Sequence, residues 1–511
     1  MKKLHLLLVC LIAAVTVNAQ TVDRSKFIRD SLDIYINKAL TNWRIPGAAV
    51  CIVKDGKIVL MKGYGIKELG LPNKVDVNTL FMIGSNTKAF TATALAMLQA
   101  EKKLSLDEKV TKYIPEFKLE NKAAGEMAIV KDLLSHRLGF RTFQGDFTFY
   151  NTNLSRHDVI EKLGKMKATY PFRTTWGYTN SAFLTAGEII PRVTGKPWEV
   201  YLKESIFAPL GMTNTLALTA EMPKALNRTV PHTLVDGRLT AIPYCNIDGL
   251  APAGSISSSV SDMSKWVMAL LDNGKVGNKQ VIPAAAIAAT RQPQDVVGNV
   301  NHLNGDTGFQ LYGLGWFIQD YDGRRLVMHD GGVNGYVSSV TLVPKENLGI
   351  IILTNTDQNA LYEALRWDII DAFFKNKNYH YNDTYLAYNK TSTANELAAD
   401  KKLRDSTLLN IKPELSTSKY TGKYVNDLYG SLDITQGEVG NDLEIRFEHH
   451  PKMFARLQPL GGNRFYVTFS DPVYGKAIFP FTVKDGKVTG IRVKVADFVE
   501  YNAYDFRKVD K

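Results

Sequence analysis

Cysteine is scarce in this chain, with three in 511 residues. Cys10 falls inside an apolar leader, so Cys51 and Cys245 remain, and a pair permits one disulfide at most. That excludes a disulfide scaffold; Cys51, set in an apolar strand-like run, reads as a buried thiol. No run of ~20 apolar residues follows the leader, so no membrane span is expected in the mature chain. Blocks of like charge are also missing. The formal charge of +11, or +9 once the two charges of Lys2 and Lys3 are subtracted, is spread out. This favours a solvated basic surface over nucleic-acid binding. Gly-x-Ser-x-Gly, His-Glu-x-x-His and the Walker lysine loop do not occur. The nine histidines form no cluster with metal-ligand spacing, and His449-His450 reads as exposed strand-end residues. Neither a metal nor a cofactor is expected.

What is present suits a multidomain globular protein: 45% hydrophobic and 22% charged residues in a chain too long for one ordinary core. Met1 to Gln20 carries two lysines, an apolar run from Leu4 to Val15 and a small-residue cleavage site, Val17-Asn18-Ala19. That is the pattern of a secretory signal, so a periplasmic or secreted location is expected.

The stretch from Phe81 to Leu98 contains Ser85-Asn86-Thr87-Lys88 followed by a run rich in Ala, Leu and Met. High helix propensity without proline predicts a buried helix beginning at Gly84-Ser85. Three residues apart, Ser85 and Lys88 share a helical face. The positive field of the helix N-terminus and an ammonium one turn along both favour the alkoxide, which marks Ser85 as a candidate nucleophile. Ser-x-x-Lys recurs at Ser416 to Lys419, in a polar stretch with no apolar helix after it, and reads there as linker.

Asp23 to Trp43 has the apolar spacing of an amphipathic helix, and Ile45-Pro46-Gly47 stops it. Ala48 to Val53 and Lys57 to Gly63 read as two strands joined at Asp55-Gly56, a strong hairpin signal. An α-rich middle follows. Residues 141–170 read as irregular, with Phe143, Phe147, Phe149 and Tyr150 open to two readings, packing under a loop or an apolar rim for a substrate. Strands are expected at Tyr312 to Ile318, Arg325 to His329, Gly335 to Leu342 and Gly349 to Leu353, then a helix from Ala360 to Phe374. This order predicts an α+β domain whose antiparallel sheet is built from both ends of the segment, with a helical insertion. Residues 376–419 read as a linker with a helical piece near Ala394 to Leu409. Short alternating strands over 420–511, with a hairpin signal at Asp485-Gly486, predict a small all-β barrel or sandwich.

Three local motifs fit one site in order: Ser85-Asn86-Thr87-Lys88, Tyr178-Thr179-Asn180 and His329-Asp330-Gly331-Gly332. Tyr-x-Asn recurs at Tyr35, Tyr244 and Tyr424, but only Tyr178 has a glycine before it and an apolar helix after it. With these three motifs the chain resembles the serine β-lactamase and penicillin-binding-protein superfamily, and in particular the class C β-lactamase-like esterases and peptidases. Ile45-Pro46-Gly47-Ala48, Leu133-Leu134-Ser135-His136 and Pro209-Leu210-Gly211-Met212 are similar to phrases of that branch. The tail from 420 is similar to the lipocalin-like barrel often appended to it. The resemblance implies a hydrolase domain over 21–375 in which Ser85 is acylated beside Lys88. Tyr178 is then the general base, while Asn180, His329 and Gly331 bind substrate. The N–H groups of Ser85 and Gly332 form the oxyanion hole. A phenol with its reference pKa near ~10 must then be depressed by roughly three units. Lys-Thr-Gly is missing, and a neutral His329 is a poorer partner than an ammonium for the carboxylate of a β-lactam. This tilts the expectation to a small acyl or peptide substrate, an ester or amide. D-amino-acid peptidase, β-lactamase, acyltransferase and non-catalytic cell-wall-fragment binder stand as alternatives, and the oligomeric state is left open.

Overall fold

A computed structural model describes residues 26–303, 305, 307–409 and 411–509. The expected signal segment lies outside them. The first helix is α1, Leu32–Trp43, entered through a wide turn at Phe27–Ser31. Strands β1 (Gly47–Lys54) and β2 (Lys57–Gly65) follow. Their hairpin turns at Asp55 and Gly56 with φ of 53° and 72°, as an Asp-Gly pair permits. After the helical insertion the chain returns as β3 (Asp295–Asn301), β4 (Thr307–Tyr312), β5 (Phe317–Tyr321), β6 (Arg324–Val333), β7 (Tyr336–Val343) and β8 (Leu348–Thr354). Together they form one eight-stranded sheet in the order β2-β1-β8-β7-β6-β5-β4-β3, antiparallel throughout.

Side-chain alternation along β1 divides two cores. Ala49, Cys51 and Val53 face the insertion, where α2 (Thr87–Ala100) is buried from Thr87 to Leu98. Ala48, Val50 and Ile52 face α1 and the helix Leu361–Phe374. A strand covered on both faces reads as a continuous apolar run rather than an alternating one. Cys51 and Cys245 are both buried free thiols.

Several expectations are corrected. The single strand expected at Tyr312 to Ile318 is two strands, β4 and β5, broken where Gly315 turns with φ 73° under α2. A Cβ at Gly315 would lie 2.7 Å from the Lys88 carbonyl oxygen. Gly331 and Gly332 lie inside β6 rather than between strands. Residues 141–170 contain two helices, α3 (Asp146–Phe149) and Arg156–Leu163. A helix α4, Asn180–Gly187, follows the tyrosine motif. Beyond the sheet and its closing helix α5 (Leu361–Phe374), much of the expected linker is a 27-residue helix α6, Tyr381–Thr407. Polar nearly all round, it bridges domains: Trp43 donates to Asn382, while Asp400 accepts from Tyr466 and Lys476 of the barrel.

The C-terminal domain is a closed eight-stranded barrel. Its strands are β9 (Gly422–Asn426), β10 (Gly430–Gln436), β11 (Leu443–Phe447), β12 (His450–Pro459), β13 (Arg464–Phe469), β14 (Lys476–Lys484), β15 (Lys487–Val493) and β16 (Tyr504–Lys508). Closure leaves no edge to aggregate. One feature at its rim departs from an open cup. Phe147, carried by α3 of the other domain, is fully buried among Tyr429, Phe447, His450, Tyr474 and Tyr504. His450 is therefore not an exposed strand-end residue. It is 2% exposed, stacked on Phe147, accepts from the Tyr429 hydroxyl at 2.7 Å and donates to the Tyr150 carbonyl at 3.1 Å. No helix among the described residues is long and apolar enough to cross a membrane.

Candidate active site

The Ser85 turn, Gly84–Asn86, leads directly into α2 and packs on β6. Two glycines permit that approach. Gly84 has φ 51°, and a Cβ there would meet the Gly332 backbone at 3.0 Å. A Cβ on Gly331 would lie 2.0 Å from Ile83 O and 2.6 Å from Ser338 Oγ. The Ser338 hydroxyl ties the turn to β7, donating to Ile83 O at 2.7 Å and accepting from Asn86 Nδ2 at 2.8 Å. Gly331 is thus buried beneath the turn, whereas Gly332 is exposed beside it. Strand β5 pairs with β6 only from Arg324 to Met328, so His329 to Val333 has no strand partner on that side.

Lys88 is fully buried. Its Nζ lies 3.1 Å from Ser85 Oγ, 2.7 Å from Asn180 Oδ1 and 2.8 Å from the Ala253 carbonyl oxygen. It also sits 4.5 Å from the centre of the Tyr178 ring. Asn180 is oriented by donating from Nδ2 to Asp146 Oδ2 at 2.6 Å. Burial pushes the Lys88 pKa well down, against the opposing pull of Asp146. Burial also drives Asp146 well up, relieved by the Asn180 bond and reinforced by the negative charge of Glu500.

Tyr178 is buried at the same place, and burial raises its phenol, with the Ser85 hydroxyl as the opposing influence. Its Oη completes no hydrogen bond among the described residues. A phenolate base needs a shift in the other direction, so a base role for Tyr178 meets an electrostatic obstacle that its motif could not reveal. Lys88, the nearest cation, is itself buried, and that burial disfavours the charge that would have to stabilise a phenolate.

Behind Tyr178 runs a buried relay whose direction is fixed at both ends. Thr179 N–H donates to His136 Nδ1 at 3.0 Å, so the neutral ring carries its proton on Nε2. That nitrogen lies 3.3 Å from Tyr312 Oη, which lies 3.2 Å from His329 Nε2. His329 Nδ1 is 2.6 Å from the Asp330 carbonyl oxygen, an obligate acceptor. Donation therefore runs His136 to Tyr312 to His329. Burial, followed by the charge of Lys88, holds His329 down to about 4 and His136 well below its ordinary value. His329 is thus neutral at neutral pH, and both of its ring nitrogens are engaged within the protein.

Ser85, Lys88, Tyr178, Asn180, His329 and Gly332 are brought together, with Gly331 in the layer beneath. Asp146, Ala253, His136, Tyr312 and Glu500 were not singled out as site residues. His136 closes the phrase Leu133-Leu134-Ser135-His136, which carried the resemblance without a role for its histidine. The other four stand in no local pattern that signals a role, because each reaches the site only through long-range packing.

Comparison with known proteins assigns both domains to families. The Beta-lactamase family matches residues 32–373, and a domain of unknown function, DUF3471, matches residues 409–508. Unguisins hydrolase ungD' of Aspergillus campestris is 29% identical over 434 residues, 80% of this chain and 77% of that protein. Protein flp of Staphylococcus aureus is 27% identical over 348 residues, 67% of this chain and 66% of that one. Among solved structures, the octameric penicillin-binding protein homologue from Pyrococcus abyssi covers 93% of this chain and 99% of its own, with TM-score 0.60 and 21% identity. A D-stereospecific amidohydrolase from Streptomyces covers 66% and 96%, with TM-score 0.54 and 20% identity. At these identities the structural likeness is one of fold.

Proposed function

The chain belongs to the Beta-lactamase family, and on that premise we propose that it is an exported serine hydrolase that opens esters or amides through a Ser85 acyl-enzyme. The observation that carries this reading is the environment of Lys88 Nζ. Two of its three partners, Asn180 Oδ1 and Ala253 O, can only accept. A neutral amine gives its two N–H groups to them and aims its lone pair at Ser85 Oγ, 3.1 Å away. Burial favours the neutral amine over the ammonium.

In this mechanism Ser85 Oγ attacks the carbonyl carbon as its proton passes to Lys88. The oxyanion is held by the N–H groups of Ser85 and Gly332. Collapse breaks the bond to the alcohol or amine, which takes the proton from Lys88 by way of the un-ionised Tyr178 hydroxyl. Water then gives a proton to Lys88 and attacks the acyl carbon, and Lys88 returns that proton to Ser85 Oγ, 3.1 Å away, as Ser85 leaves as the hydroxyl. Asn180 holds Lys88 and meets the substrate amide.

The neutral, internally bonded His329 gives a β-lactam carboxylate no fixed cation. This favours acyl compounds uncharged at that position. The relationship to a protein named a hydrolase of unguisins supports a hydrolytic reading. The pattern of Met1 to Gln20 supports export. The test is labelling with a fluorophosphonate, followed by intact mass on a panel of esters and of L- and D-peptides. Wild type is expected to gain one adduct and Ser85→Ala none. A wild type without an adduct would remove the catalytic reading and leave a binder.

A further inference from the structure

A segment of the barrel, residues 494–503 between β15 and β16, approaches the Ser85 site, with Phe498 beside Gly332 and Tyr501 beside Phe143. Glu500 pins it. This carboxylate is 1% exposed and accepts from Gly145 N–H at 3.0 Å, Phe147 N–H at 2.9 Å and the Tyr504 hydroxyl at 2.7 Å. A buried carboxylate is tolerated only with such partners, so the segment is held firmly against α3. Lys494 braces it from within, donating to Val495 O at 2.9 Å and Asp497 Oδ1 at 2.7 Å.

On either side of this pin, two aromatic rings are left open to water. Phe498 is 43% and Tyr501 42% exposed. Phe498 ring carbons lie 3.4 and 3.8 Å from the position a Cβ on Gly332 would take. Tyr501 lies 5.5 Å, centre to centre, from Phe143, and Phe143 lies 5.6 Å edge-on from Tyr178. Phe143 is itself held at φ 60°, an unfavourable conformation for a bulky residue, and its N–H donates to Tyr178 O at 2.8 Å. Beyond Phe498 opens a cavity of about 1300 Å³ between α6, the turn after β8 and the barrel.

Resting on the serine-hydrolase reading above, we propose that Phe498 and Tyr501 of the barrel, with Phe143, form the wall that selects the acyl side of the substrate. They choose acyl groups with an aromatic or branched apolar side chain beside the scissile carbonyl. The oxyanion position fixes where that carbonyl sits, and the Phe498 ring faces Gly332 on the strand that carries it. An apolar side chain there covers ring surface that water now wets, whereas an acetyl group does not reach it. The barrel thereby becomes part of the substrate site rather than a spacer.

The experiment uses the full-length protein and the ratio of kcat/KM for p-nitrophenyl 3-phenylpropionate over p-nitrophenyl acetate, with intact mass to follow acylation. Wild type is expected to favour the phenylpropionyl ester. The ratio is expected to fall about tenfold in Phe498→Ala and in Tyr501→Ala, the range a lost apolar contact supplies. Phe498→Leu keeps apolar bulk and is expected to lose about threefold, which also provides a reading if the alanine variant does not fold. Ratios unchanged in the variants, or equal loss toward both esters, overturn the wall while leaving the hydrolase standing. A wild type acylated by neither ester overturns the hydrolase and the wall together.

Discussion

Replacing Phe147 with alanine is expected to undock the barrel without unfolding it. The ring is 0% exposed and stacks on Tyr429 and His450, with centroids 4.9 and 5.3 Å away. Full burial of a phenylalanine contributes roughly 1.5–3 kcal/mol by transfer alone. With the cavity left behind, Phe→Ala costs about 3–5 kcal/mol. Apart from Ile242, the buried residues in this cluster belong to the barrel, so the loss falls on docking. At about 4 kcal/mol, the undocked population rises by a factor of about 10³. Hydrogen exchange on the full chain reads this directly. Amides in 145–150 and 494–503 are expected to open about 10³-fold more often, while those in β10 to β15 keep their protection. Phe147→Leu, closer in volume, is expected to cost under about 1.5 kcal/mol. Unchanged exchange in the two segments, or an equal rise throughout the barrel, refutes the reasoning.

Three further outcomes are expected. Gly331→Ala forces a Cβ to within 2.0 Å of Ile83 O; the oxyanion strand must withdraw, and Ser85 labelling by a fluorophosphonate is expected to slow by ~10²-fold or more. Labelling at the wild-type rate would contradict the packing described. His450 and His329 are buried neutral, held down to about 3 and about 4 by desolvation. The unfolded chain binds those protons first, so stability is full above the ordinary histidine pKa and falls as pH drops below it. The fall is up to ~1.4 kcal/mol per pH unit for each ring, seen as a declining urea midpoint between pH 7 and 5. His450→Gln is expected to flatten the slope, and an identical slope would count against it. Glu500→Gln removes the charge that raises Asp146; Asp146 then ionises more readily and raises Lys88. The acid limb of the labelling rate is expected to move to higher pH, and movement to lower pH would reverse the proposed coupling.

What could be read in the sequence was what lies close along it. Ser85 and Lys88 share one helical turn, Asp55-Gly56 needs two positive φ values, and alternating strands announce a barrel. Tyr178 and Asn180 were legible as a motif, but the protonation of Tyr178 was not, because it depends on burial under His136, Phe143 and Lys88. The polarity of 381–407 suggested a linker, since a helix that bridges two domains has little apolar face to display. His450 looked exposed for a related reason: its cover, Phe147, is some three hundred residues away in sequence. Glu500 illustrates the limit. Nothing around it signals a role, yet it holds the helix that carries Asp146, and Asp146 holds Asn180 against Lys88.

The most direct test is the pH dependence of Ser85 acylation by a fluorophosphonate in wild type, Lys88→Met and Tyr178→Phe. Wild type is expected to show an acid limb set by a group titrating well below an ordinary lysine. A loss of ~10²- to 10⁴-fold is expected in Lys88→Met and a retained limb in Tyr178→Phe, because fluoride leaves without a proton. A limb that survives in Lys88→Met and vanishes in Tyr178→Phe would return the base to the tyrosine and contradict the account.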